Sequence, residues 1–172
     1  MAIEVNLEKY GHKKKGFLGF SWTAFFFNFL VPIFRADFKW FLIFIFPFIF
    51  ASLGTSFDLD FDNNFIAFIF IFPVFVSKFV FPFIYNKFYT KGLIKEGYLP
   101  PKDDDYSNAI LKGTGYLEYT DEDFLDKEKM EKYKVIIEEY ENERKKDMHT
   151  IIIVFALIGV LIAFFYFMAS YS

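Results

Sequence analysis

The sequence predicts an all-α membrane protein with three transmembrane helices, an N-terminal re-entrant or interfacial hydrophobic segment and a cytosolic helical stalk. Three observations predict this class. The 172 residues are 55% hydrophobic and include 29 Phe, most of them between residues 17 and 83, which is more apolar surface than a small soluble domain can bury. Long apolar runs alternate with charged segments. Lys and Arg cluster beside these runs, as they do on the cytosolic side of membrane proteins.

The lengths of the apolar runs divide the chain into four regions. A spanning helix needs about 20 apolar residues, and three of the four runs come close to that length. The regions are a cytosolic arm at 1–16, a membrane domain at 17–85 with a re-entrant segment 17–34 and spans 40–57 and 65–85, a cytosolic helical segment at 86–148, and a C-terminal transmembrane helix with a short outer tail at 149–172.

The first apolar run admits two interpretations, because polar residues and Pro32 interrupt it. If it spans the bilayer, the chain crosses four times; if it only dips in, the chain crosses three times. A run that does not cross places every basic cluster on the cytosolic side, as the positive-inside rule requires. The N-terminus and segment 86–148 are then cytosolic, whereas the acidic loop at 58–64 and the C-terminus are outside.

Three polar residues in or beside the membrane domain form a candidate intramembrane polar site. Asn28 interrupts the first run and needs a protein neighbour at membrane depth. Lys78 lies inside the third run. Because a charge at membrane depth is costly, Lys78 is a functional candidate. It either extends its amine towards the cytosolic headgroups or pairs with Asp37 in the turn after the first run.

The segment before the last span is predicted to be helical. A short helix at 107–112 would stop at Gly113, and a long helix at 121–148, with Thr120 as its N-cap, would run into the final span. Along it, four apolar residues recur at helical spacing and form a candidate interface. The stripe could pack on the rest of the cytosolic segment, on a second copy, or on another protein. Its members are Met130, Tyr133, Ile137 and Tyr140.

Two groups of residues resemble a known family. Gly16-Phe17, the stretch 21–27, Arg35 and Trp40 are similar to the small, uncharacterised bacterial membrane proteins that carry the domain DUF2628. A second element, Asn86-x-x-Tyr89 followed by Gly97-Tyr98, is also similar to that family. The resemblance covers about residues 16–98. It implies membrane location and bacterial origin and supplies no activity. Together with the topology above, we expect a multi-pass protein of the bacterial inner membrane.

The chemistry-bearing residues do not form a catalytic or metal-binding pattern. The chain has no Cys and only two His, which lie far apart. The acidic loop has Asn63 and Ile69 where a calcium loop needs Gly and Glu. We therefore expect no enzyme activity, cofactor, metal site or nucleic-acid partner.

Two functional hypotheses follow. The first is a non-enzymatic anchor, scaffold or accessory subunit, embedded in the lipid bilayer, that binds a protein partner or a second copy through the helix 121–148. The alternative is a small-molecule or lipid transport component that uses the broken first segment and Lys78.

Overall fold

The computed structural model describes residues 2–56 and 64–170. It divides into two compact units, Met1–Asn108 and Ala109–Ser172, so the division comes later than the boundary that we predicted after residue 85. The elements are β1 (Ile3–Lys9), β2 (His12–Leu18), α1 (Trp22–Phe27), α2 (Leu30–Phe34), α3 (Phe38–Ser56), α4 (Asn64–Phe79), α5 (Phe81–Lys95), α6 (Asp105–Gly113), α7 (Asp121–Leu125) and α8 (Lys127–Ser170).

The fold is mostly helical, but the predicted N-terminal arm is a β-hairpin, so the all-α prediction is wrong. Strands β1 and β2 pair antiparallel from Ile3 opposite Leu18 to Lys9 opposite His12. Tyr10 and Gly11 both have positive φ at the turn, which is the backbone of a two-residue hairpin loop. Apolar residues alternate with polar ones along β1, and Val5 and Leu7 are buried.

The first apolar run forms two short helices, neither of which is long enough to span a bilayer. Helix α1 has 6 residues and α2 has 5. The chain breaks between them at Asn28, which has φ +48°. Ser21 begins α1 by accepting a hydrogen bond from the Ala24 N–H on its side chain. Helix α3 then runs through the second apolar region, and its apolar part at Phe38–Gly54 is shorter than a full span.

The third apolar run is broken, and our prediction of one helix at 65–85 is wrong. Helices α4 and α5 meet at Val80 with a bend of 59°. Pro82 lies in the first turn of α5, where its missing N–H and its ring prevent α4 from continuing. Pro73 lies inside α4, not at the bend.

Among the described residues, one helix is long and apolar enough to cross a membrane, and a second candidate exists if α4 and α5 count as one bent span. The first candidate is Lys127–Met168 within α8, with a mean hydropathy of 3.0 in its most apolar part. At 1.5 Å per residue, the 44 residues of α8 reach about 66 Å. The predicted continuity of the stalk helix with the last apolar run is present from Lys127 onward.

The carboxylate of Asp123 joins three helices of the second unit. It accepts hydrogen bonds from the Thr120 N–H and hydroxyl, both at 2.8 Å, and completes a capping box at the start of α7. The same group pairs with Lys112 of α6 and, at 3.1 Å, with Lys129 of α8. Asp126 separates α7 from α8, so the helix predicted at 121–148 actually begins at Lys127.

The candidate interface stripe lies largely inside the second unit. Tyr133 and Tyr140 are buried, and the Tyr133 ring lies 5.9 Å below the Lys112 amine. A Cβ added at Gly113 would lie 2.5 Å from the Ile137 Cδ1 atom. Gly113 therefore permits close approach of α6 and α8. Helix α6 ends at Gly113 as predicted, and the glycine in the left-handed conformation that follows its end is Gly115, with φ +71°. Of the three packing alternatives, the structure shows the stripe packed against α6, within the segment that precedes the last apolar run.

We predict that Asp123→Asn destabilises the second unit by about 3–5 kcal/mol, because the largely buried amine of Lys112 loses its counter-charge. Hydrogen exchange of amides in α7 and the first half of α8, measured on the full chain in detergent, would report this loss. Glu122→Gln, an exposed change on the same short helix, is the matched control and should leave exchange unchanged. Equal protection in both variants would contradict the role of Asp123.

Acid should remove the same contribution. Burial by itself raises the pKa of the Asp123 carboxyl, but hydrogen bonds from Lys112 and Thr120 outweigh it and hold the pKa below its ordinary value. The contribution is therefore present above the ordinary Asp pKa of about 4 and is lost as the pH falls through the folded-state pKa. Wild type should lose more protection on acidification than Asp123→Asn.

Candidate functional site

A buried polar junction lies where the first apolar segment meets the bent helix pair. The Asn28 side-chain amide donates to the Ser77 carbonyl at 3.3 Å, and the Ser77 hydroxyl donates to the Asn28 side-chain oxygen at 3.3 Å. The same hydroxyl lies 3.2 Å from the Phe44 carbonyl of α3. Asn28 and Ser77 are both buried. The junction therefore ties three apolar elements together through groups that would be costly to leave without partners.

Backbone groups of residues 19 and 21 form hydrogen bonds with the first turns of α5, next to the break. The Ser21 N–H donates to the Pro82 carbonyl at 2.9 Å. One turn further along α5, the Asn86 side chain donates to the Gly19 carbonyl at 3.1 Å. These bonds hold the residues before α1 against the first turns of α5. The protein neighbour that we predicted for Asn28 is Ser77.

Lys78 and Asp37 do not pair with each other, so that alternative for the candidate polar site is wrong. The Lys78 amine lies 3.5 Å from the Phe26 carbonyl, at the C-terminal end of α1, and 5.3 Å from the centre of the Phe25 ring. The Asp37 carboxylate instead accepts the Trp40 N–H at 3.3 Å, at the start of α3. Burial raises the pKa of the Asp37 carboxyl.

Arg35 lies at the centre of a second cluster. Its guanidinium donates to the Asn86 side-chain oxygen at 2.9 Å and stacks over the Phe17 ring at 3.9 Å from the ring centre. It also lies 5.0 Å from the Tyr85 ring centre and 5.1 Å from that of Tyr89. Burial lowers the pKa of Arg35. The aromatic faces stabilise the cation without neutralising it.

The β-hairpin reaches the same cluster through α5. The Thr90 hydroxyl donates to the Phe17 carbonyl and accepts from the Phe17 N–H, both at 2.7 Å. A Cβ at Gly16 would lie 2.9 Å from side-chain atoms of Thr90 and of Val5, so only glycine allows this close approach. Residues from the two groups that carry the family resemblance, among them Phe17, Arg35, Asn86 and Tyr89, therefore lie together in space.

A cavity of about 670 Å³ opens beside Arg35. Five basic and two acidic side chains line it, which leaves a formal excess of three positive charges. The basic residues are Lys14, Arg35, Lys39, Lys91 and Lys95, and the acidic ones are Asp37 and Glu96. Trp40, Phe88 and Tyr89 supply aromatic walls. A volume of this size suits a small organic ligand or a headgroup.

Sequence reasoning used Arg35 to orient the chain and as part of the family resemblance, and it used the lysines of this cavity only to orient the chain, so it missed the cavity. The residues themselves can be read from the sequence. Arg35 comes directly after an apolar run, Asn86 lies one turn before Thr90, and Lys91 lies one turn before Lys95. What the sequence does not contain is the fold-back of the first segment onto α5, which alone brings these residues together.

Comparison with known proteins identifies no relative. No protein-family model, curated protein or solved structure matches the chain. The resemblance to DUF2628 proteins therefore stays a prediction.

We predict that Ser77→Ala lowers the free energy of unfolding by about 1–3 kcal/mol, because the buried side-chain oxygen of Asn28 loses the Ser77 hydroxyl as its donor. Ser56→Ala on α3 removes an exposed hydroxyl that donates to the Ser52 carbonyl of its own helix at 2.9 Å. This control should change the free energy by less than about 0.5 kcal/mol. Thermal unfolding in detergent, followed by circular dichroism, measures both. Equal losses would mean that the junction adds nothing.

Proposed function

We propose that this chain is a non-enzymatic, multi-pass protein of the bacterial inner membrane that belongs to the lipid-handling class. The observation that carries the proposal is the bent α4–α5 pair, because beside its break the buried Asn28 and Ser77 bond to each other and the half-buried Lys78 lies against the end of α1. Broken helices at membrane depth are characteristic of proteins that admit polar groups into the bilayer.

The outer surface of the first unit supports a lipid environment. Large apolar side chains along α3 and α4 are exposed, among them Phe46, Phe65, Phe68 and Ile71. Such a contiguous apolar surface is unusual for a protein in water. In the proposed topology, the basic residues of the hairpin and of the end of α5 face the cytosol, where anionic lipids attract them.

The scaffold hypothesis has less support. It rested on an exposed stripe on α8, and the structure packs that stripe against α6 within the second unit, with Tyr133 and Tyr140 buried. An anchoring role through another surface of the same segment stays a prediction, but nothing in the geometry favours it over lipid handling.

We predict that the purified protein accelerates transbilayer movement of fluorescent phospholipids in liposomes. Lys78→Met removes the amine beside the Phe26 carbonyl and keeps a flexible side chain of similar length, so it should slow movement severalfold. Lys134→Met, an exposed change on α8, is the control and should leave the rate unchanged. Movement no faster than in protein-free liposomes would refute the proposed function, and equal rates in both variants would remove Lys78 from it.

A further inference from the structure

Arg35 carries a half-buried positive charge beside the cavity. Among the residues that the structure describes, no carboxylate forms an ion pair with this half-buried guanidinium. The nearby acid, Asp37, is engaged at the start of α3 by the Trp40 N–H. Because buried charges are normally paired, an anion in the adjacent cavity would complete this site.

The geometry of the donors suits a phosphate group. A guanidinium carries five N–H donors in a planar fork that matches phosphate oxygens, and one of them is held by Asn86. That bond, together with the stacking on Phe17, fixes the plane of the guanidinium before any ligand arrives. Lys39 and Lys95 add mobile positive charges on the cavity wall. A phosphate would thus meet one oriented donor and several adaptable ones.

The surroundings of the cavity distinguish a lipid from a free phosphate. Phe34 and Phe38, which flank Arg35 in sequence, are 84% and 74% exposed. Trp40 and Phe88 lie on the cavity wall with their ring centres 5.5 Å apart, and aromatic side chains of this kind collect at headgroup level. A ligand with a phosphate and an attached apolar part would satisfy both features.

We propose that this cavity binds the phosphate of an anionic phospholipid headgroup, with Arg35 as its oriented donor and Lys39 and Lys95 as supporting charges. The inference rests on the proposed lipid-handling function and names the lipid class that the site would hold. Asn86 is a positioning residue, since it acts through Arg35.

Trp40 provides the readout, because it lies on the cavity wall and the chain has only one other Trp. In full-length Trp22→Phe protein in neutral phosphatidylcholine bilayers, we expect brominated phosphatidylglycerol to quench Trp40 at lower mole fraction than equally brominated phosphatidylcholine. Arg35→Gln should weaken this preference about tenfold, since a hydrogen bond to a charged group contributes that much. Arg35→Lys should restore it only in part.

A second variant keeps the test informative if Arg35→Gln does not fold. Lys39→Gln/Lys95→Gln changes two exposed residues of the cavity and should weaken the preference roughly 30-fold, given the contribution of each basic residue near anionic lipid. Lys87→Gln/Lys102→Gln removes the same charge from exposed positions of the first unit outside the cavity lining and should leave the preference unchanged. Equal losses in the two double variants would overturn the site.

Soluble inorganic phosphate separates the two sources of the anion. If inorganic phosphate changes Trp40 fluorescence in unbrominated phosphatidylcholine bilayers while the two brominated lipids quench alike, the site binds free phosphate and the lipid assignment is overturned. The binding test for this cavity and the transbilayer-movement test of the proposed function can fail separately. Selective binding without transbilayer movement would refute the function and keep the site, whereas movement that is insensitive to both cavity variants would keep the function and refute the site.

Discussion

The break between α4 and α5 is the constraint on which the architecture of the first unit depends. Pro82 has no N–H for a continuing helix, and the first apolar segment hydrogen-bonds to residues on both sides of the break. Ser21 donates to the Pro82 carbonyl, and Asn28 exchanges hydrogen bonds with Ser77. To reach both places, that segment must bend, which explains why it forms two short helices rather than one span.

This fold-back also determines where the charges lie. It carries Phe17 to Thr90 and brings Arg35 beside Asn86, so a guanidinium that the linear sequence places after an apolar run becomes the wall of a cavity. The aromatic rings of Phe17, Tyr85 and Tyr89 make the site tolerable for a cation. The excess of positive charge in the cavity links the fold to a proposed anionic ligand.

Local patterns predicted some of this structure and missed the rest for identifiable reasons. The sequence predicted the charged helix that continues into the last apolar run. It also predicted the helical spacing of Tyr133, Ile137 and Tyr140, because both features belong to one helix. The hairpin was not predicted, because its lysines were interpreted as a charged cytosolic arm. Ile3, Val5 and Leu7 nevertheless alternate with polar residues as in a strand. The close approach of Gly113 to Ile137 depends on two distant segments, and no local pattern encodes it.

The bend can be measured directly as a distance, since the chain has no native Cys. Spin labels at residues 65 and 95 would lie about 45 Å apart along a straight helix, whereas a bend of 59° near its middle shortens that separation by about 6 Å. Labels at 131 and 161 have the same spacing in sequence within the unbroken α8 and should give the full length. Electron–electron double resonance in nanodiscs should find the first pair clearly shorter than the second. Equal distances for the two pairs would show that the third apolar run is a straight helix and would contradict the account.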